Sequence, residues 1–302
     1  MTIIATILLI ISAFTHAGWN FISKKEHPTQ AFYLLANTMG VICILPILIY
    51  HADLLSFIPS PVWLIVILSG FFLASYLNAL AGAYRSGDIS IAYPLARSLP
   101  LVFVFLMTLA LAESQPPGEW FLVGMILIVG GCIILPLKTF GDFQFSNYKN
   151  FCCLLAVLAA VGTACYTIAD DMALQYLREL PGQPMGLVEG TLVYLVLEGI
   201  SCSLWQGLFV VTNRQERRSM LVVLKSYKGP AALTGLGIYL TYGIVLVSMN
   251  FVTNVSYVAA FRQLSIPLGA IFGMVFLKES RYLPKTLGVA AIFLGLVIAS
   301  IN

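Results

Sequence analysis

Apolar runs of about 17–25 residues follow one another along the whole chain, each closed by a charged or turn-rich segment. Wound as a helix, a run of that length crosses a hydrocarbon layer ~30 Å thick. Ten are read, at about 2–22, 30–50, 62–84, 90–112, 119–137, 151–177, 186–211, 230–250, 254–277 and 284–300. The longest stretch between them is the basic loop TNRQERRSMLVVLKSYKG at 212–229, too short for a separate folded module. The 302 residues are 60% hydrophobic and 10% charged, a balance foreign to a water-soluble core. The expected fold is an all-α membrane protein with ten transmembrane helices.

The opening run reads as the first span rather than a cleaved leader, because MTIIAT carries no Lys or Arg, although SAFTHAG offers small residues of the kind found at cleavage sites. Cys43, Cys132, Cys152, Cys153, Cys165 and Cys202 lie in or beside apolar runs without metal-ligand spacing, and read as small buried hydrophobes. A net charge of +3 argues against a nucleic-acid partner. The placement of charge is more informative. Lys24, Lys25, Arg85, Lys138, Lys149, Arg214, Arg217, Arg218, Lys225, Lys228, Lys278, Arg281 and Lys285 fall on one side, against Arg178 alone on the other. Cytoplasmic loops carry the excess of Lys and Arg, which places the loops after spans 1, 3, 5, 7 and 9 in the cytoplasm and both termini outside.

The chain also repeats itself. Residues 75–114 align without a gap on 241–280, so that Ser75-Tyr76 falls on Thr241-Tyr242, Asp88 on Asn254, Ser90 on Ser256, and AES at 112–114 on KES at 278–280. The first and sixth spans align separately, His16 on Thr163, Trp19 on Tyr166, Asn20 on Thr167, Ser23 on Asp170 and Lys24 on Asp171. Halves 1–140 and 141–302 then hold five spans each, and an odd number of spans turns the second copy upside down within one integral membrane domain. In each of the first and sixth spans the polar residues are spaced i, i+3, i+4, i+7, a single stripe that must pack against protein or line a wet cavity. Asp170 completes its stripe. Lys24, Lys25 and Asp171 lie near a membrane face, where helix-end charges are ordinarily solvated.

Other polar groups sit deeper. Thr191, Tyr194, Glu198, Ser201 and Trp205 share one face of the seventh span, with Glu198 near mid-membrane. Such a carboxyl faces either a site or a hydrogen-bond partner on a neighbouring helix. Arg97 shares a face of the fourth span with Ser90 and Tyr93, and Arg262 lies one residue from Gln263, the repeat equivalent of Arg97. Both arginines point to a central cavity or to a carboxylate such as Glu198 or Asp170. His16 is the one histidine within the spans and reads as packing or as a proton carrier. Trp19, Tyr76, Tyr166, Trp205, Tyr239 and Tyr242 are aromatic residues on spans expected around that cavity. Gly186 with Gly190, and Gly269 with Gly273, are spaced for helix contacts. Pro94, Pro100 and Pro267 interrupt the fourth and ninth spans.

The first-span HAGWN, the segment GDISIAYPLARSLPLVFVFLMTLALAESQPPGEWFLVGMILIVGGCII, the acidic residues Glu113 and Glu279 closing the fourth span and its repeat, and the Gly-rich fifth span together resemble the drug/metabolite transporter superfamily, and within it the EamA-type ten-helix transporters. The resemblance covers nearly the full length. It implies export of amino acids, drugs or other small metabolites across a bacterial inner membrane, and places both termini in the cytoplasm, opposite to the charge count.

No HExxH, GxSxG, phosphate-binding glycine loop or Cys/His metal spacing is present, so neither an enzyme nor a cofactor is expected. The expected function is a secondary transporter with alternating access, proton-linked through Glu198, acting as a monomer or homodimer on a small zwitterionic or amphiphilic metabolite. The substrate contacts expected are His16, Trp19, Asn20, Tyr76, Arg97, Tyr166, Asp170, Glu198, Trp205, Tyr242, Arg262 and Gln263. The rival expectation is an intramembrane lipid-processing enzyme or lipid flippase. If the charge count governs topology, a cysteine at Ser219 will resist a membrane-impermeant thiol reagent in intact cells; labelling there would put the termini in the cytoplasm instead.

Overall fold

The computed structural model describes residues 1–23, 29–86, 89–111, 117–144, 149–182, 185–276 and 280–301, without the side chains of 20–23, 84, 89–94, 273 and 276. Its helices are α1 (Ile3–Ser23), α2 (Gln30–Tyr50), α3 (Ser60–Ser86), α4 (Ile89–Leu111), α5 (Phe121–Ile134), α6 (Phe151–Arg178), α7 (Leu187–Thr212), α8 (Arg214–Ser226), α9 (Lys228–Met249), α10 (Val255–Arg262), α11 (Ser265–Phe276) and α12 (Leu283–Ala299). No strand occurs among the described residues. Among the described residues six stretches are long and apolar enough to cross a membrane, namely α2, α3, α6, α7, α9 and the α10–α11 pair over Val255–Phe272. The apolar stretches of α1, α4, α5 and α12 are shorter, at 10–17 residues. Their outward faces are greasy: Ile4, Ile7 and Ile11 on α1, Leu64, Ile67 and Leu68 on α3, and Leu204, Leu208 and Val211 on α7 are all exposed. Water would not tolerate so continuous an apolar belt, and lipid requires it. The protein is membrane-embedded.

Two elements depart from the sequence reading. The basic stretch expected as a loop is largely helical, because the Asn213 side chain accepts from the N–H groups of Gln215 and Glu216 and so caps α8. The ninth span is split, α10 giving way to α11 across Gln263 and Leu264. Pro267 explains the break, since proline supplies no N–H and its ring crowds the carbonyl four residues earlier, that of Gln263. By contrast α4 runs unbroken through Pro94 and Pro100. Cys43 is exposed rather than buried, because the face of α2 that bears it points outward.

The main packing pairs are α3 with α6 and α7, α4 with α6, α1 with α9, α2 with α7 and α9, and α5 with α12. Helix α1 also meets α10 and α11, and α8 lies on α2. Glycine sets the closest approaches. A Cβ on Gly235 would lie 2.0 Å from the Ala36 carbonyl, and one on Gly124 would lie 2.5 Å from the Gly295 carbonyl. Of the glycines marked by spacing alone, a Cβ at Gly269 would meet nothing within 4 Å, one at Gly186 would meet its own helix's Glu189, and one at Gly190 would lie 2.8 Å from the Met185 sulfur.

Adjacent glycines on α5 give a controlled test. A Cβ at Gly131 would fall 2.7 Å from Ile292 and 2.8 Å from the Gly288 carbonyl, whereas one at Gly130 meets nothing within 4 Å. Gly131→Ala is expected to destabilise by about 1–3 kcal/mol through overpacking, and Gly130→Ala to be neutral or stabilising by up to about 1 kcal/mol. Thermal unfolding in detergent reads both.

Candidate functional site

Two carboxyl groups meet at the centre of the bundle. Asp170 on α6 and Glu198 on α7 are both 0% exposed. Between them sits the Ser69 hydroxyl of α3, 2.7 Å from Asp170 Oδ1 and 2.9 Å from Glu198 Oε1. The approach that places it there depends on Gly70, where a Cβ would lie 2.2 Å from the Ser201 hydroxyl of α7. The Tyr194 hydroxyl donates to Asp170 Oδ1 at 2.8 Å, while the Tyr242 hydroxyl of α9 reaches Asp170 Oδ2 and lies 3.0 Å from Glu198 Oε1. Four helices thus converge on one pair of acids.

The protons available can be counted. Five oxygen–oxygen contacts in this cluster draw on the hydroxyls of only Ser69, Tyr194 and Tyr242. A hydroxyl has one proton to donate. With both acids ionised, two contacts would be bare oxygens pressed together in a dry interior, at a cost of several kcal/mol. Protons on the carboxyls remove that conflict: one on Asp170 Oδ2 donates to Tyr242, which then donates to Glu198 Oε1, and one on Glu198 Oε1 donates to Ser69, which then donates to Asp170 Oδ1. The contacts are those of an acid pair that itself carries protons. Glu198 Oε2 is buried with no partner.

A cavity of about 60 Å³ adjoins the pair, its wall including His16, Trp19, Tyr76, Tyr166, Glu198, Tyr239, Tyr242 and Arg262. That volume holds a few waters, so a larger occupant requires the helices to part. A smaller recess of about 20 Å³ shares Tyr76, Tyr166 and Arg262 with it and adds Arg97, Thr163, Thr167 and Gln263. Arg262 donates to the Tyr166 hydroxyl at 2.8 Å and to Thr167 at 3.4 Å. Arg97 donates to Ser265 at 2.7 Å, and its Nε is buried without a partner. Of the two alternatives, a central cavity or a carboxylate, the second is not met: among the described residues neither arginine forms an ion pair, and the partners of both are hydroxyls.

The sequence-derived residues therefore divide. His16, Trp19, Tyr76, Tyr166, Glu198, Tyr242 and Arg262 line the cavity, His16 standing edge-on to Trp19 with ring centroids 4.8 Å apart. Arg97 and Gln263 line the recess, and Asp170 lies behind Tyr242 in the acid cluster. Trp205 is brought to none of these. Two turns beyond Glu198 the same face of α7 has passed onto α3, where the indole donates to the Ile67 carbonyl at 3.2 Å and its ring lies 5.1 Å from Phe71. The side chains of Asn20, Ser23, Ser90 and Tyr93, and all of Lys24, Lys25, Asp88, Glu113, Lys278 and Glu279, lie outside the described residues. Sequence reasoning missed Ser69 and Asn37. Asn37 accepts from Tyr239 at 2.6 Å and donates to Ser203 at 2.8 Å. A lone Ser or Asn in an apolar run gives no signal until its neighbours are known.

No protein-family model matches the chain, and no curated protein does. Solved structures do: one crystal structure superimposes with a TM-score of 0.70 at 17% identity, covering 98% of this chain and 96% of its own. At that identity the likeness is one of fold alone.

The acid cluster predicts an infrared band. At neutral pH the protein is expected to show the C=O stretch of a protonated carboxyl, sensitive to deuterium exchange and absent from the Asp170→Asn/Glu198→Gln double variant. A band equally strong in the double variant would place that proton elsewhere.

Proposed function

We propose that this protein is a secondary transporter of the drug/metabolite exporter type, moving a small zwitterionic or amphiphilic metabolite out of the cytoplasm across the inner membrane by alternating access, in exchange for protons. The observation that carries this reading is the proton-short pair Asp170–Glu198, set at a cavity that also holds the permanently charged Arg262. A carboxyl there has two ways to be neutralised, by a proton or by the ammonium group of a substrate. The two compete for one site, which is the requirement for exchange of one against the other. Trp19, Tyr76, Tyr166 and Tyr242 offer aromatic faces to the cation. Arg262, or Arg97 from the adjoining recess, receives the anionic end.

The packing pattern supports two inverted five-helix halves. Let α1 exchange with α6, α2 with α7, α3 with α9, α4 with α10–α11, and α5 with α12. The pair α3–α6 then becomes α9–α1, α2–α9 becomes α7–α3, and α4–α6 becomes α10–α11 against α1, while α2–α7 and α5–α12 map onto themselves. Each of these is an observed pair. Ten spans follow if α10 and α11 count as one and α8 lies at the membrane surface. A split span beside the site is a recurring device of transporters built this way.

The test uses proteoliposomes and whichever amino acid or amphiphilic amine stabilises the purified protein in a thermal-shift screen. Glu198→Gln mimics the protonated acid, so it is expected to keep binding and substrate exchange but lose acceleration by a pH gradient. Arg97→Gln or Arg262→Gln is expected to weaken binding itself by about tenfold or more, and the variant that does so identifies the arginine used. A pH-gradient response unchanged in Glu198→Gln moves the coupling to Asp170 or His16, or makes the protein an uncoupled facilitator.

A further inference from the structure

Helix α8 takes no part in the cavity, yet its surface is built with two chemistries. Its one acid, Glu216, is 1% exposed and turned inward, where it pairs with Arg85 at the end of α3 and accepts the Ala31 N–H at the start of α2. Met220, Val223 and Tyr227 follow at helical spacing and pack on α2 with Phe32 and Tyr33. The outward face is left with Arg214, Arg218 and Lys225 exposed, and no acid among them. Interleaved with these bases, Leu221 and Val222 are 65% and 57% exposed.

Arg214 and Arg218 lie one helical turn apart and, with Gln215, Ser219 and Val222, line one groove. Arg217 is engaged elsewhere, donating to the Val211 carbonyl at the end of α7. The exposed stripe of Leu204, Leu208 and Val211 on α7 ends three residues before Arg214. Bases at the head of an apolar stripe match a molecule with an anionic head and hydrocarbon tails. A nucleic acid or an acidic protein would leave Leu221 and Val222 without a partner, and free phosphate would leave the stripe unused.

We infer that α8 is a lipid clamp: the groove between Arg214 and Arg218 binds the phosphate of an anionic phospholipid, whose acyl chains run along Leu204, Leu208 and Val211 of α7. Leu221 and Val222 dip into the same leaflet beside it. The bound headgroup joins the α7–α8 turn to the membrane surface, while the inward Glu216 joins α8 to α2 and α3. This inference rests on the membrane-embedded fold and not on the transport reading.

The test titrates delipidated, detergent-purified full-length protein with phosphatidylglycerol or phosphatidylcholine and follows the unfolding temperature. Phosphatidylglycerol is expected to stabilise at lower concentration than phosphatidylcholine, with an effect that salt weakens. Arg214→Gln/Arg218→Gln is expected to raise its half-saturation concentration about tenfold or more, Arg214→Lys/Arg218→Lys by less, and Lys138→Gln, on an exposed base outside α8, not at all. If the glutamine pair does not fold, the lysine pair alone decides, its half-saturation rising above that of the unaltered protein or not. The inference is overturned if phosphatidylcholine stabilises equally, if inorganic phosphate reproduces the shift, or if the α8 variants and Lys138→Gln respond alike.

Discussion

Inside a membrane no water relieves a polar group, so each must find its partner in the protein or carry the cost. Asp170 and Glu198 bring that constraint to its sharpest form. Ser69, Tyr194 and Tyr242 surround them, reaching in from α3, α7 and α9. The register of four helices is therefore tied to two acids. Because the surrounding hydroxyls have too few protons for all their contacts, protons on the acids themselves complete the cluster.

The close glycine contacts follow from the same requirement. Hydroxyl-to-carboxyl distances near 3 Å demand that backbones come near, and Gly70 against Ser201, Gly199 against Tyr239, and Gly235 against Ala36 permit it. On the other flank Gly124, Gly131, Gly288 and Gly295 bring α5 and α12 together without any polar side chain. One set of approaches serves chemistry and the other serves packing. The two arginines, on α4 and α10, are held by Ser265, Tyr166 and Thr167 rather than by carboxylates.

At the surface the logic inverts. Glu216 is buried to hold α8 against α2 and α3, and that leaves the bases of α8 facing outward without an acidic neighbour on their face. The Arg85–Glu216 ion pair thus turns the acid of α8 inward and leaves the bases of α8 facing outward.

Much of this protein is written in its sequence. The length and apolarity of its runs specify membrane helices, because hydrocarbon thickness and helix rise leave no alternative. The i, i+3, i+4, i+7 spacing of Thr163, Tyr166, Thr167 and Asp170 specifies a polar face, and all four are buried. Periodicity places Glu198 on the inward face of α7 for the same reason. It carries Trp205 along too far, since a face keeps its direction along a helix but not its neighbours. That Ser69 bridges the acids, that Tyr242 touches both, that the arginines meet hydroxyls, and that 214–226 forms a helix pressed on α2 were decided only in three dimensions. Each depends on contacts between residues far apart in the chain, and a one-dimensional pattern records which way a side chain points but not what stands opposite it.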